Sequence, residues 1–375
     1  MDQAIRKLFP ATERFAYLNS AAVSPMPQTA IDAVTTQLND VARYGSEHYP
    51  EWIKTKNRAR ALVAGMLGVG DEQVAFMRNT SDGIAAIAAG LDWKAGDNIA
   101  TLGREFPANF YPWRNVRDEH GVEMRIVPER DGRYEIDELI AAIDGKTKVV
   151  AVSAVQFGSG FRADLERIGK AAREHDALFV VDVIQGLGAM GFDLPAQYVD
   201  AAAGASHKWL SAPEGMGVMY LSDRARDRIK PAFVGWISVE TPWDFDDLEQ
   251  PFKPNALAWE SGTGTSSLFY GLEQSLKLLT ETGLTKIDAY LDELSTYLCE
   301  RLADTNYHLI SSRERGERSA IVCVKHRGGL TSQEIYEALR ERDVIVSARG
   351  DRLRFSPHFY NNKEDIDRLM EALPD

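Results

Sequence analysis

Short apolar runs rich in β-branched residues alternate, over the first two-thirds of the chain, with stretches of helical period. KVVAVSAV (148–155) reads as a buried strand. RADLERIGKAAREHDA (162–177) reads as a helix with Leu165, Ile168 and Ala172 on one face, and LFVVDVI (178–184) as the next strand. VDAAAGAS (199–206) and GMGVMYLS (215–222) continue the series. Nearly continuous apolar strands need cover on both faces, so this rhythm predicts an α/β fold with a largely parallel sheet between helices. Ligands in such sheets bind outside the carboxyl ends of the strands.

Beyond about residue 255 the pattern changes. A helical stretch near 266–281 leads to a second, with Ile287, Leu291, Leu294 and Leu298 at helical spacing. SAIVCVKH (319–326) and DRLRFSPH (351–358) read as strands. KEDIDRLMEAL reads as a last helix, with Ile366, Leu369, Met370 and Leu373 on one face and Asn361 or Asn362 as its cap. The division predicted is a large domain over 16–255, a smaller α+β domain over 256–375 and an N-terminal arm over 1–15.

Composition narrows the partners. The 375 residues, 44% hydrophobic, are enough for both domains. With 43 basic and 56 acidic residues the net charge is −13 and no long basic run occurs, which argues against nucleic acid and anionic membrane. No apolar stretch approaches the roughly 18 residues of a membrane span, and the N-terminal segment lacks the apolar core of a signal peptide. Cys299 and Cys323 form no CxxC pair, and no His/Cys cluster has metal-ligand spacing. A reducing, cytoplasmic setting without a bound metal is the expectation.

Five features carry candidate chemistry. In NTSDGIAAIAAGL (79–91), Asn79, Thr80 and Ser81 stand where a helix begins, and free N–H groups, hydroxyls and the helix dipole together make a phosphate cradle. The same residue types are ordinary N-caps, and the turn alone leaves both readings open. Asp182 ends a buried apolar run, where a carboxylate is costly without a partner. A turn aspartate is the plainer alternative. Gln185 lies one turn further on.

Lys208, in SHKW, follows another apolar run 26 residues after Asp182. An ε-amine there can form a Schiff base with an aldehyde cofactor, and partial burial frees the nucleophile by lowering its pKa. Such a lysine, an acid beside a pyridinium nitrogen and anion donors are the parts of a pyridoxal phosphate site. Lys208, Asp182 and Thr80–Ser81 supply them, with Ser206 and His207 as further donors. Gly262, Thr263 and Gly264 precede a helix and form a second candidate anion turn. In DRLRFSPH, Leu353 and Phe355 alternate with Arg352 and Arg354, so both arginines face away from the small core. Arg354 is a candidate two-pronged grip on a substrate carboxylate; a solvated arginine is the alternative, and the better one for Arg352.

The ordered series NTSDG, EFPANFYPW, AVSAVQFGSG, VVDVIQG, SHKW, ESGTGT and RLRFSPHFYN spans nearly the whole chain. As a set it resembles the class V aminotransferase family, on the branch with cysteine desulfurases, selenocysteine lyases, isopenicillin N epimerase-like proteins and cystine C–S lyases. The resemblance implies fold type I, with a mostly parallel seven-stranded sheet and a smaller α+β C-terminal domain. It also implies pyridoxal 5'-phosphate, an amino acid substrate, and a homodimer with its sites at the subunit interface.

By the same resemblance Lys208 looks like the Schiff-base lysine and Asp182 like the pyridinium partner. Gln185 and His207 match neighbouring cofactor contacts, and Thr80 and Ser81 the phosphate turn. Related desulfurases place a serine where Ala205 stands, one position before Ser206. Gln156 matches the polar residue near the phenolic oxygen. Thr263 matches a phosphate contact supplied by the partner subunit. Arg354 matches the substrate-carboxylate arginine, and Asn109 is a further substrate-site candidate.

Two departures matter. Phe106 replaces the histidine that stacks on the cofactor; its ring can stack but cannot move protons. The loop that bears the desulfurase cysteine is short here, VIVSARGDRLR, without a cysteine, and Cys299 and Cys323 read as structural. The leading expectation is an aminotransferase acting on a small α-amino acid. A C–S or other β-lyase comes second, on the likeness of SHKW…GMGVMYL and FVGWISV (233–239) to cystine lyases, and an epimerase third. The non-enzymatic alternative is a cofactor-binding regulatory module.

Overall fold

A computed structural model describes residues 3–375. The chain forms a short strand, β1 (Ala16–Tyr17), and then seven more: β2 (Val74–Met77), β3 (Asn98–Leu102), β4 (Glu123–Val127), β5 (Thr147–Ser153), β6 (Leu178–Asp182), β7 (Ala201–Ala205) and β8 (Gly217–Leu221). These seven make one sheet in the order β2-β8-β7-β6-β5-β3-β4. Pairing is parallel from β7 through β4, while β8 runs antiparallel to both β7 and β2. The reversal has a local cause. Residues 206–216, which join β7 to β8, are too few for a parallel crossover, and a direct return is the remaining course. Lys208 sits in this loop, just past the carboxyl end of β7.

Alternate residues of the central strands enter opposite cores. Val150, Val152, Phe179 and Val181 pack on one face, and Val149, Ala151, Leu178 and Val180 on the other. The alanine run of β7 has a particular use. The helix Thr80–Ala89 lies so close to it that a Cβ on Gly83 would stand 2.8 Å from the Ala203 Cβ. A Cβ on Gly217 would meet the Asn79 backbone at 2.8 Å. Two glycines and small alanines thus bring the start of that helix down beside Lys208.

The C-terminal part adds β9 (Tyr307–Leu309), β10 (Val322–His326), β11 (Val344–Ile345), β12 (Ser347–Arg349) and β13 (Arg352–Phe355). Strands β12-β13-β10-β9 form an antiparallel sheet, and β11 pairs in parallel with β1. Ala16 and Leu18 therefore lie in the third core with Val324, Leu353 and Phe355, although they fall within the span read as the large domain. The helix Ser266–Thr282, beyond the pattern change, packs on helices Gln28–Tyr44 and Tyr49–Leu67. The helix Leu284–Leu302 bridges both units, with Ile287 and Leu291 in the first core and Leu294 and Leu298 in the third. Asn362 caps the last helix, Lys363–Ala372, in a capping box with Asp365. Among the described residues no helix is long and apolar enough to cross a membrane.

Candidate active site

A cavity of about 330 Å³ opens at the carboxyl ends of β6 and β7. Its wall contains Lys208, Asp182, Thr80, Ser81, Phe106, Gln185, His207 and Arg354. These residues come from distant parts of the chain, and each stands at the end of a strand, the start of a helix or on the small sheet.

Asp182 is the last residue of β6 and is buried. Its Oδ1 accepts the Ile184 amide hydrogen at 2.9 Å. Burial pushes its pKa up to about 6, against that hydrogen bond and the Lys208 charge. Lys208 is only 7% exposed. Burial draws its pKa down to about 8; Asp182 opposes the shift, while Arg354 and Arg349 add to it. Its Nζ lies 5.1 Å from the centroid of the Phe106 ring, which stands edge-on to Phe157.

The Asn79–Ser81 turn caps its helix and also faces the cavity. Asn79 Oδ1 accepts the Asp82 amide hydrogen at 2.9 Å, so Asn79 is the cap. Thr80 and Ser81 remain on the cavity wall, and the buried Thr80 Oγ1 has no partner. Arg354 donates from Nη1 to the Phe157 carbonyl at 3.1 Å, while its buried Nε and Nη2 are unpartnered. Burial draws its pKa down to about 10, with Arg349 adding to the effect. A buried donor without a partner costs about 1–3 kcal/mol. Polar groups of a ligand in this cavity would remove those costs.

Ser206, Asn109, Gln156 and Thr263 are not on this wall. Ser206 donates its hydroxyl to the Pro213 and Met216 carbonyls, which closes the Lys208 loop. Asn109 is buried and accepts from Trp113 Nε1 at 3.1 Å. Thr263 lines a different cavity, of about 730 Å³, with Gly262 and Gly264. Gln185 donates to the Ala21 carbonyl at 3.1 Å and accepts from Trp209 Nε1 at 2.9 Å, tying the N-terminal segment to the Lys208 loop. His207 is partly buried, which lowers its pKa, as does the Lys208 charge. Arg352 is not solvated: it is buried, ion-paired with Glu129, and donates to the Gly158 carbonyl at 3.0 Å.

Glu105, the first residue of the EFPANFYPW motif, has a larger place than its motif suggested. It is buried and accepts from the Ser153 amide at 2.8 Å, the Ser153 hydroxyl at 2.5 Å and Gln156 Nε2 at 2.7 Å. Burial outweighs these bonds and pushes its pKa up to about 7, with Asp182 adding. Gln156 is thereby oriented, with its buried Oε1 left without a partner. Arg349, at the end of β12, also lines the cavity. Neither residue stands in an apolar pattern that marks it in advance; strand pairing and chain crossing bring both here.

The sequence model of the family described as aminotransferase class-V matches residues 16–369. A protein of Schizosaccharomyces pombe named as an uncharacterized aminotransferase is 28% identical over 381 residues, covering 99% of this chain and 95% of its own. A probable cysteine desulfurase of Methanothermobacter thermautotrophicus is 26% identical, over 98% of this chain and 96% of its own. A solved cystine C–S lyase, in complex with cysteine persulfide, superposes with a TM-score of 0.90 at 21% identity, over 98% of this chain and all of that one.

Proposed function

The chain belongs to the class-V aminotransferase family, a family of pyridoxal-phosphate-dependent enzymes acting on amino acids, and we propose that its reaction is transamination of an α-amino acid. When bound, pyridoxal phosphate supplies an electron sink for the bond broken at the α-carbon. The residues fit that group: an unpartnered Thr80 hydroxyl at a helix start suits its phosphate, and the buried Asp182 suits its ring nitrogen.

Lys208 is the residue that anchors the cofactor and carries the α-proton. Its lowered pKa leaves a substantial neutral fraction of the amine near neutral pH, as a base requires. Asp182 would hold the ring nitrogen protonated, Phe106 would supply an aromatic face for the ring, and Arg354 would take the substrate carboxylate. Gln185 and His207, on the cavity wall, would contact the cofactor, and Gln156, oriented by Glu105, would offer it a polar group. Ser206 acts through the loop it closes.

The observation that carries transamination over sulfur transfer is the absence of a thiol from the described cavity wall. Cys323 is buried in β10 with its thiol pushed up to about 11 by burial, and Cys299 lies on the helix Leu284–Leu302. The resemblance assigns Thr263 a phosphate contact from the partner subunit, and its place in a separate cavity is in keeping with a homodimer with shared sites. The two unpaired cysteines are in keeping with a cytoplasmic setting.

The test is to load the purified protein with cofactor and follow its absorption on adding α-amino acids. Conversion to the amine form with release of the matching keto acid is expected. If no amino acid converts the cofactor, even slowly, transamination is wrong. Release of pyruvate and sulfide from cysteine or cystine would assign β-elimination instead.

A further inference from the structure

The wall of the Lys208 cavity holds an arginine that the proposed reaction does not use. Among its described residues Asp182 is the one carboxylate, against Lys208, Arg349 and Arg354. Asp182 is assigned to the ring nitrogen, Lys208 to the aldehyde and Arg354 to the α-carboxylate. Arg349 is left over. Its one described hydrogen bond runs from Nη1 to the carbonyl of the adjacent Ala348, at 3.1 Å. No carboxylate of the described residues lies within ion-pair distance of it.

The β12–β13 hairpin shows that this is not general neglect. Arg349 stands opposite Arg352, and Arg354 opposite Ser347. Opposite residues share a face, as do residues two apart on one strand, so Arg349, Arg352 and Arg354 all point to the same side. Arg352 is neutralised by Glu129. The acid of the hairpin turn, Asp351, pairs with Lys325 at 3.0 Å. Arg349 and Arg354 are diagonal neighbours, with Cα atoms about 7–8 Å apart in such a ladder. Burial lowers the Arg354 pKa, and the Arg349 charge adds to that shift. Two guanidinium groups at that spacing in one cavity suit two carboxylates a few methylenes apart.

We propose that Arg349 binds a second carboxylate on the substrate, and that this enzyme acts on a dicarboxylic α-amino acid or its dicarboxylic keto acid. The proposal rests on the reading of Arg354 as the α-carboxylate grip. Arg349 is then a specificity-determining residue: it recognises the side chain and takes no part in moving the proton.

The experiment titrates the cofactor-loaded protein with succinate and glutarate, and with butyrate as the single-carboxylate control, by calorimetry at fixed ionic strength. A dicarboxylate is expected to bind at least about tenfold tighter than butyrate. Arg349→Gln should remove most of that preference while weakening butyrate much less. Arg349→Lys, which keeps the charge but not the fork, should restore part of it. Equal affinities in the unaltered protein, or a preference that survives Arg349→Gln, overturn the assignment. In the cofactor assay, glutamate or aspartate should outrun glutamine or asparagine by a similar factor. A dicarboxylate preference with no conversion by any amino acid supports the Arg349 site and counts against transamination alone.

Discussion

His358 Nε2 stands 2.8 Å from the carbonyl oxygen of Trp209, the residue that follows Lys208, while its Nδ1 accepts the Phe359 amide hydrogen at 2.8 Å. With Nδ1 accepting, Nε2 carries the proton and donates it to the Lys208 loop. The ring is fully buried, and burial draws its pKa down to about 4. A neutral histidine therefore braces the backbone beside the reactive amine.

Acid should loosen this brace. Between 6.5 and about 4 the unfolded chain binds a proton at His358 that the folded chain refuses, so the histidine's contribution is intact above 6.5 and declines as pH falls. The full loss is about 3 kcal/mol. Denaturant titrations at pH 7 and pH 4.5 should show a shallower pH dependence for His358→Gln than for the unaltered protein. Identical slopes in the two proteins would exclude His358 as a source of the acid sensitivity.

Capture of pyridoxal phosphate by the apoprotein should follow the neutral form of Lys208. Its rate is expected to rise with pH and level off with a midpoint near 8, well below the ordinary lysine value of 10.5. Stopped-flow absorption measures this directly. Lys208→Ala should abolish the spectral change and lower turnover on the order of a thousandfold or more.

Asp182→Asn keeps the volume and removes the charge. Turnover should fall on the order of a hundredfold. The same substitution removes the attraction that holds the Lys208 pKa up, so the midpoint of cofactor capture should move below 8. A midpoint that stays or rises would show that the two groups are not coupled as described.

Glu105 should act in the opposite sense to His358. Its folded pKa is raised to about 7 from 4.5, so the folded chain holds a proton that the unfolded chain has released. Stability is therefore expected to decline between pH 4.5 and 7, by up to about 3 kcal/mol, and to stay lower above that. Glu105→Gln should remove the decline, seen as a flatter melting temperature across that range. Glu105→Ala strands the Ser153 and Gln156 donors and should cost about 2 kcal/mol or more at every pH.

Much of the site could be read from the chain because its residues stand at element boundaries. Thr80 opens a helix, Asp182 closes a strand and Lys208 follows one, and boundaries leave marks in an apolar pattern. Strand direction leaves none. The run that became β8 is as apolar as its neighbours, and only the brevity of 206–216 turns it antiparallel. Alternation told correctly that Arg352 and Arg354 leave the small core, but the fate of each depended on a distant partner. Glu129 claims Arg352, and no carboxylate among the described residues claims Arg354. The same holds for Glu105, whose partners Ser153 and Gln156 are brought to it by the pairing of β3 with β5.

The pairing of β1 with β11 also bears on how the molecule is made. Ala16 meets Val344, Leu18 donates its amide to the Ile345 carbonyl, and the adjoining Ala21 and Ala22 wall the cavity. At roughly 5–20 residues per second, a ribosome needs tens of seconds to deliver the second strand after the first. An early segment with apolar side chains must wait through that interval without its permanent neighbours. The pocket is thus among the last features a newborn chain can finish, and a stalled or shortened product would have a large sheet but an unwalled site.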